Sequence, residues 1–190
     1  MDTATVTKLD DVSRHTAAIV LAFAADPFVR WFLPEPDVYL RSFTEITRSH
    51  GERSATHGGA FGRADGRGTA FWFPPGVGPD LDAMGRVLSE AGSADRVKAV
   101  FDAADAHHPD EPHFYLRQIG IDPRLQGTGQ GSALLAAGLA MVDAAQALAY
   151  LEATSNASRL LYERHGFITL AEVTAGGSPP LWPMLRPATA

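Results

Sequence analysis

The chain has 190 residues, seven His, no Cys, 45% hydrophobic residues and a formal charge of −6. That length suits one domain, and such a chain buries roughly 70% of its unfolded surface, enough for a core. The missing Cys excludes a disulfide framework, a thiol nucleophile, a thiolate zinc site and an iron–sulfur cluster, and the acidic balance speaks against nucleic acid, which calls for clustered Lys and Arg.

Met1–Asp2 begins acidic, and no basic segment precedes an apolar stretch, so nothing here has the form of a signal peptide. Thr3 to Lys8 alternates and reads as a short strand. Asp10–Asp11–Val12–Ser13 opens a helical pattern with an Asp as N-cap. Its apolar run, Ala17 to Ala25, is about half the length that spans a bilayer. A cytoplasmic protein with no membrane partner is the expectation. Asp26–Pro27 ends this helix, and Asp26 to Pro36, with Phe28, Trp31, Phe32 and three prolines, reads as an aromatic loop or broken helix. Val38 to His57 is helical again, with Leu40, Phe43, Ile46 and Thr47 on one side.

Gly58 to Arg63 and Gly68 to Phe73 are β-like runs. The Ala64–Asp65–Gly66–Arg67 between them is a hairpin signal, because Gly accepts the positive φ of such turns. Leu81 to Ala106 is helical with a break near Gly92. His107 to Pro112 is a polar loop. Its His107, His108, Asp110 and Glu111, with His113, have no known metal spacing and read as a solvated loop, so no metal is expected. His113 to Ile121 is the clearest strand and Gly129 to Ala147 the clearest helix. A strand at Leu148 to Ala153, a helix at Asn156 to His165 and strands at Phe167 to Val173 and Leu181 to Leu185 complete the chain. No linker divides it, so residues 1–190 read as one α/β domain.

The segment that carries chemistry runs strand, Asp122–Pro123–Arg124–Leu125, Gln126–Gly127–Thr128–Gly129–Gln130–Gly131–Ser132, helix. Alternating glycines put several backbone N–H groups into one concave loop. The loop enters a helix N-terminus, which favours an anion, so it reads as a phosphate or pyrophosphate cradle. A Walker loop would need Lys after Gly131, where Ser132 stands. A dinucleotide fingerprint would need a third Gly at position 132, and Glu152 is its ambiguous acidic partner. A Gly-rich turn without a ligand is the bland alternative.

A third type fits. Gln126-x-x-Gly129-x-Gly131, after Ile119–Gly120–Ile121–Asp122–Pro123, resembles the acetyl-CoA motif of the GCN5-related N-acetyltransferases (GNAT). Asn156, Tyr162 and Gly166–Phe167 resemble that family's downstream motif, one helix and one strand away. The likeness is specific from His113 to Phe167. His113–Phe114–Tyr115–Leu116, Leu151–Glu152–Ala153–Thr154, Ala70–Phe71–Trp72 and Ala22 to Pro27 look like its puromycin N-acetyltransferase branch.

The resemblance implies a GNAT (acyl-CoA N-acyltransferase) fold: a mixed, mostly antiparallel sheet of about seven strands flanked by helices, with acetyl-CoA where the fourth and fifth strands part. Ile119, Gly120 and Ile121 would offer main-chain groups to the pantetheine arm. Gln126, Gly127, Thr128, Gly129, Gly131 and Ser132 would hold the pyrophosphate. Asn156 would contact the arm near the thiol, and Arg159 the nucleotide or pantetheine. Tyr162 would protonate the leaving thiolate. A packed helix residue is the alternative for it. Glu152 is the first candidate base, with His113 second. Asp26, Phe28, Trp31 and Phe32 would line the acceptor pocket, or equally seal the core.

The implied activity is direct acetyl transfer from acetyl-CoA to a primary amine of a small molecule, such as an aminonucleoside-type antibiotic, by a monomer or homodimer. Two alternatives remain open: a non-catalytic acyl-CoA-binding or sensing module, and an acetyltransferase acting on a protein N-terminus or lysine.

Overall fold

The computed structural model describes residues 5–189. Seven strands form one open sheet in the spatial order β1 (Val6–Lys8), β2 (Ala60–Arg63), β3 (Gly68–Phe73), β4 (His113–Ile121), β5 (Leu148–Ala153), β7 (Trp182–Arg186), β6 (Ile168–Thr169). Only β4 and β5 run parallel, and every other neighbouring pair is antiparallel. This is the expected mixed sheet. The β2–β3 turn is built as expected around Gly66, whose φ of +73° suits glycine.

Helices cover both faces. On one, α1 (Thr16–Ala22), α2 (Pro27–Phe32), α4 (Thr44–Thr56), α5 (Leu81–Glu90) and α6 (Ala94–Asp105) pack Ile19, Phe28, Ile46, Leu88 and Val100 into a cluster with Phe71 of β3. On the other, α7 (Gln130–Ala144) and α8 (Asn156–Arg164) bring Leu134, Leu135, Val142 and Tyr162 against Trp72, Leu116 and Leu151. Every residue of β3 is buried, which is why its sequence is a continuous apolar run rather than an alternation. A one-turn helix, α3 (Pro36–Val38), precedes α4.

Several boundaries differ from expectation. The first strand covers Val6–Lys8, and Thr3 and Ala4 lie outside the described residues. The first helix starts late. The Asp11 carboxylate accepts from the Ser13 N–H and hydroxyl, each at 2.9 Å, and such a local turn competes with helix. Asp26–Pro27 does not merely stop a helix. The Asp26 carboxylate accepts from the Val29 N–H at 2.9 Å and Pro27 takes the first helical position, so the expected aromatic loop is helix α2. Between Val38 and Thr44 the backbone is π-helical. The extra residue per turn shifts the phase, so Leu40, expected on one side with Phe43, Ile46 and Thr47, is 59% exposed while those three are buried and Tyr39 stacks on Phe43. The expected strand Phe167–Val173 pairs only at Ile168–Thr169, with a separate bridge at Val173. Leu170 donates to the Pro183 carbonyl, and Pro183 has no N–H to return.

Among the described residues no helix is long and apolar enough to cross a membrane.

Candidate active site

The parallel strands β4 and β5 pair only at His113↔Leu148, Phe114↔Ala149 and Tyr115↔Tyr150. Beyond Tyr115 they part, and the edge of β4 from Leu116 to Ile121 lines a cleft of about 720 Å³. On its other edge β4 pairs with β3, but the register slips: Phe71 faces Gln118 and Trp72 faces Leu116. Arg117 is therefore the extra residue of a bulge, a device that re-aims a side chain.

The Gly-rich loop closes one end of the cleft. Gly127 and Gly129 have φ of +74° and +83°. A Cβ at either would meet nothing within 4 Å, so the loop faces open space. Helix α7 begins right after Gly129 without a side-chain cap, which leaves its first N–H groups for an anion. The residues present therefore fit a pyrophosphate. Ile119, Gly120, Ile121, Gln126, Gly127, Gly129, Gly131 and Ser132 all line the cleft, and the Ser132 hydroxyl bonds the His165 ring.

Three expected cofactor contacts stand outside this lining. Thr128 donates its hydroxyl to the Leu125 carbonyl at 2.6 Å. The Asn156 side-chain oxygen accepts from Arg159 at 2.8 Å, and Arg159 also pairs with Glu163 at 2.6 Å and lies 5.9 Å from the Trp182 ring.

The other half of the cleft is walled by Phe23, Phe28, Phe43, Met84, Leu88, Val97 and Phe101. Tyr162 from α8 reaches it while buried against Phe167, with ring centroids 5.9 Å apart. Burial, then the Asp26 charge, pushes the Tyr162 phenol well above the usual tyrosine range. Asp26 lines the same space and joins two distant segments by accepting the Thr154 hydroxyl at 2.6 Å. Burial pushes its carboxyl up, against these hydrogen bonds. Glu152 accepts the Tyr115 hydroxyl at 2.7 Å and lies 3.9 Å from the Arg117 guanidinium.

One expected acceptor residue, Trp31, and the second candidate base, His113, are not in the lining of the cleft. Trp31 packs on Phe28 and under Arg96. His113 bonds the Glu111 carbonyl at 2.8 Å and packs against His108 and Tyr150. Nor did sequence reasoning single out His50, Tyr115, Arg117, Gln118 or Thr154. The signal for two of them was available, since Arg117–Gln118 interrupts an otherwise apolar strand.

Residues 93–169 match the family model described as the Acetyltransferase (GNAT) domain. Among solved structures, one titled histone acetyltransferase HPA2 and related acetyltransferase, from Corynebacterium glutamicum, is 28% identical, with 98% of this chain and 97% of that one covered at a TM-score of 0.72. Arylalkylamine N-acetyltransferase 2 from Aedes aegypti is 15% identical, covering 99% of this chain and 100% of its own at a TM-score of 0.67. The C-terminal condensation domain of Ebony, in complex with beta-alanyl-dopamine, is 15% identical, covering 98% and 99% at 0.72. The last two likenesses speak for the fold.

Proposed function

From the match of residues 93–169 to the Acetyltransferase (GNAT) domain model, we propose that the chain is a GNAT enzyme that transfers an acetyl group from acetyl-CoA directly to the primary amine of a small molecule. The observation that carries this is the parting of β4 and β5 beyond Tyr115, with an uncapped Gly-rich helix start at one end and Tyr162, Asp26 and Glu152 at the other.

The backbone of Ile119 to Ile121 receives the pantetheine arm, and the N–H groups from Gly127 to Ser132 receive the pyrophosphate. A primary amine is charged at neutral pH, with a pKa near that of Lys at about 10.4, and must lose a proton before it attacks. Glu152 accepts that proton. Tyr162 stays protonated because burial holds its phenol up; as the amine nitrogen bonds to the thioester carbonyl carbon and the carbon–sulfur bond breaks, Tyr162 gives its proton to the leaving sulfur, and the proton shed by the nitrogen restores the phenol. The aromatic wall lowers the polarity on one side of the cleft, which strengthens both interactions. Within this reading the chain works as one domain.

The likeness to the puromycin N-acetyltransferase branch makes an aminonucleoside-type antibiotic one acceptor worth testing. The direct experiment is thiol release from acetyl-CoA over chemically distinct amines, puromycin included. Release that needs both protein and amine is expected. Tight acetyl-CoA binding without release by any amine would overturn the enzyme reading in favour of an acyl-CoA-binding module.

A further inference from the structure

Buried polar atoms without partners are costly, and each one needs an explanation. Among the described residues, three side chains in the wall of the acceptor half carry polar atoms without a well-formed hydrogen bond: both ring nitrogens of His50, Nε of Arg117 and Oε1 of Gln118, with the Gln118 carboxamide adjacent to the His50 ring. His50 and Gln118 are 2% and 7% exposed.

The Arg117 guanidinium is underprovided in the same way. It donates to the Tyr115 hydroxyl at 2.8 Å, but its other terminal nitrogen meets only the Met84 sulfur at 3.7 Å. A thioether is a weak acceptor. Phe101 lies against it, 5.0 Å from centroid to guanidinium carbon. Among the described residues, Nε and this second terminal nitrogen therefore have no oxygen acceptor. Glu152 lies 3.9 Å away.

Resting on the acetyl-transfer reading, we propose that Arg117, with His50 and Gln118, forms a specificity subsite for a carbonyl oxygen carried next to the amine. The acceptor is then a lipophilic primary monoamine with a carbonyl on the carbon adjoining the amine-bearing one. Glu152 takes the ammonium, Arg117 takes the carbonyl oxygen, and their closeness fixes the one-carbon spacing between the two groups. The apolar wall takes the body of the molecule. A polyamine is disfavoured, since its second cation would meet the Arg117 charge.

The test is direct binding, measured by calorimetry on the full chain, both alone and with excess CoA. The probes are L-phenylalaninamide, L-phenylalanine, 2-phenylethylamine and spermidine. Phenylalaninamide is expected to bind at least roughly tenfold tighter than phenylethylamine, as a hydrogen bond to a charged group warrants. Phenylalanine separates a carboxylate from a neutral carbonyl, and both satisfy the proposal. In Arg117→Met and Arg117→Lys the ratio is expected to collapse toward one, and a ratio taken within one variant is insensitive to lost stability. No measurable binding of phenylalaninamide and phenylalanine, binding equal to phenylethylamine, or spermidine binding as tightly would overturn the subsite. Thiol release with the same amines is scored separately. Preferential binding without release would refute acetyl transfer and leave the subsite standing.

Discussion

His50 shows how a single buried group sets pH behaviour. Burial, reinforced by the neighbouring Arg117 charge, pushes its imidazole down to about 3 from an ordinary 6.5. The folded chain therefore binds fewer protons at this residue than the unfolded chain. Its contribution to stability is complete above pH 6.5 and is lost as pH falls toward 3, with a slope of at most about 1.4 kcal/mol per pH unit. Denaturant titrations between neutral pH and pH 4 are expected to follow that slope in the wild type and to flatten in His50→Leu. Equal slopes would place the acid sensitivity in other groups. Tyr162 is shifted in the opposite sense, so its phenol remains protonated and able to donate through neutral and mildly alkaline pH.

Among the elements, the contact of α7 with β3 sets the depth of the cofactor half. A Cβ added at Gly138 would lie 2.1 Å from the Trp72 indole nitrogen, so the helix rests directly on that ring. Gly138→Ala is expected to destabilise the fold by about 1–3 kcal/mol in chemical unfolding, the usual cost of overpacking. An unchanged midpoint would mean that the helix can shift at no cost. The elements themselves were largely legible in the sequence. The strand His113–Ile121, the Gly-rich loop and the helix after it follow from period and turn chemistry, and the β2–β3 hairpin from Asp65–Gly66. What stayed hidden depends on phase and register. The π-helical turn at Tyr39–Phe43 moves Leu40 outward without any Gly or Pro to announce it. The bulge at Arg117 depends on pairing with β3, which no local pattern reveals. Thr154 meets Asp26 across most of the chain. Asn156 and Arg159 carry the right residue types, but they bond to each other outside the cleft.

For the whole molecule, the proposed function sets a net charge of −6 beside an anionic co-substrate. The fold offers a local answer: the Gly127–Ser132 loop and the uncapped start of α7 supply backbone N–H groups, and Arg164 lines the same cleft, so binding need not depend on overall charge. The same two-sided sheet brings Tyr162 from one helical layer and Asp26 from the other to the point where β4 and β5 part. The central claim is that acetyl moves at that point with Tyr162 facing the leaving sulfur. It is tested most directly by single-turnover thiol release from acetyl-CoA-loaded protein in excess amine, comparing wild type with Tyr162→Phe. The expected result is a loss of about a hundredfold in rate with acetyl-CoA affinity held within about twofold, in line with the removal of an acid catalyst. Equal rates in the two proteins would contradict it.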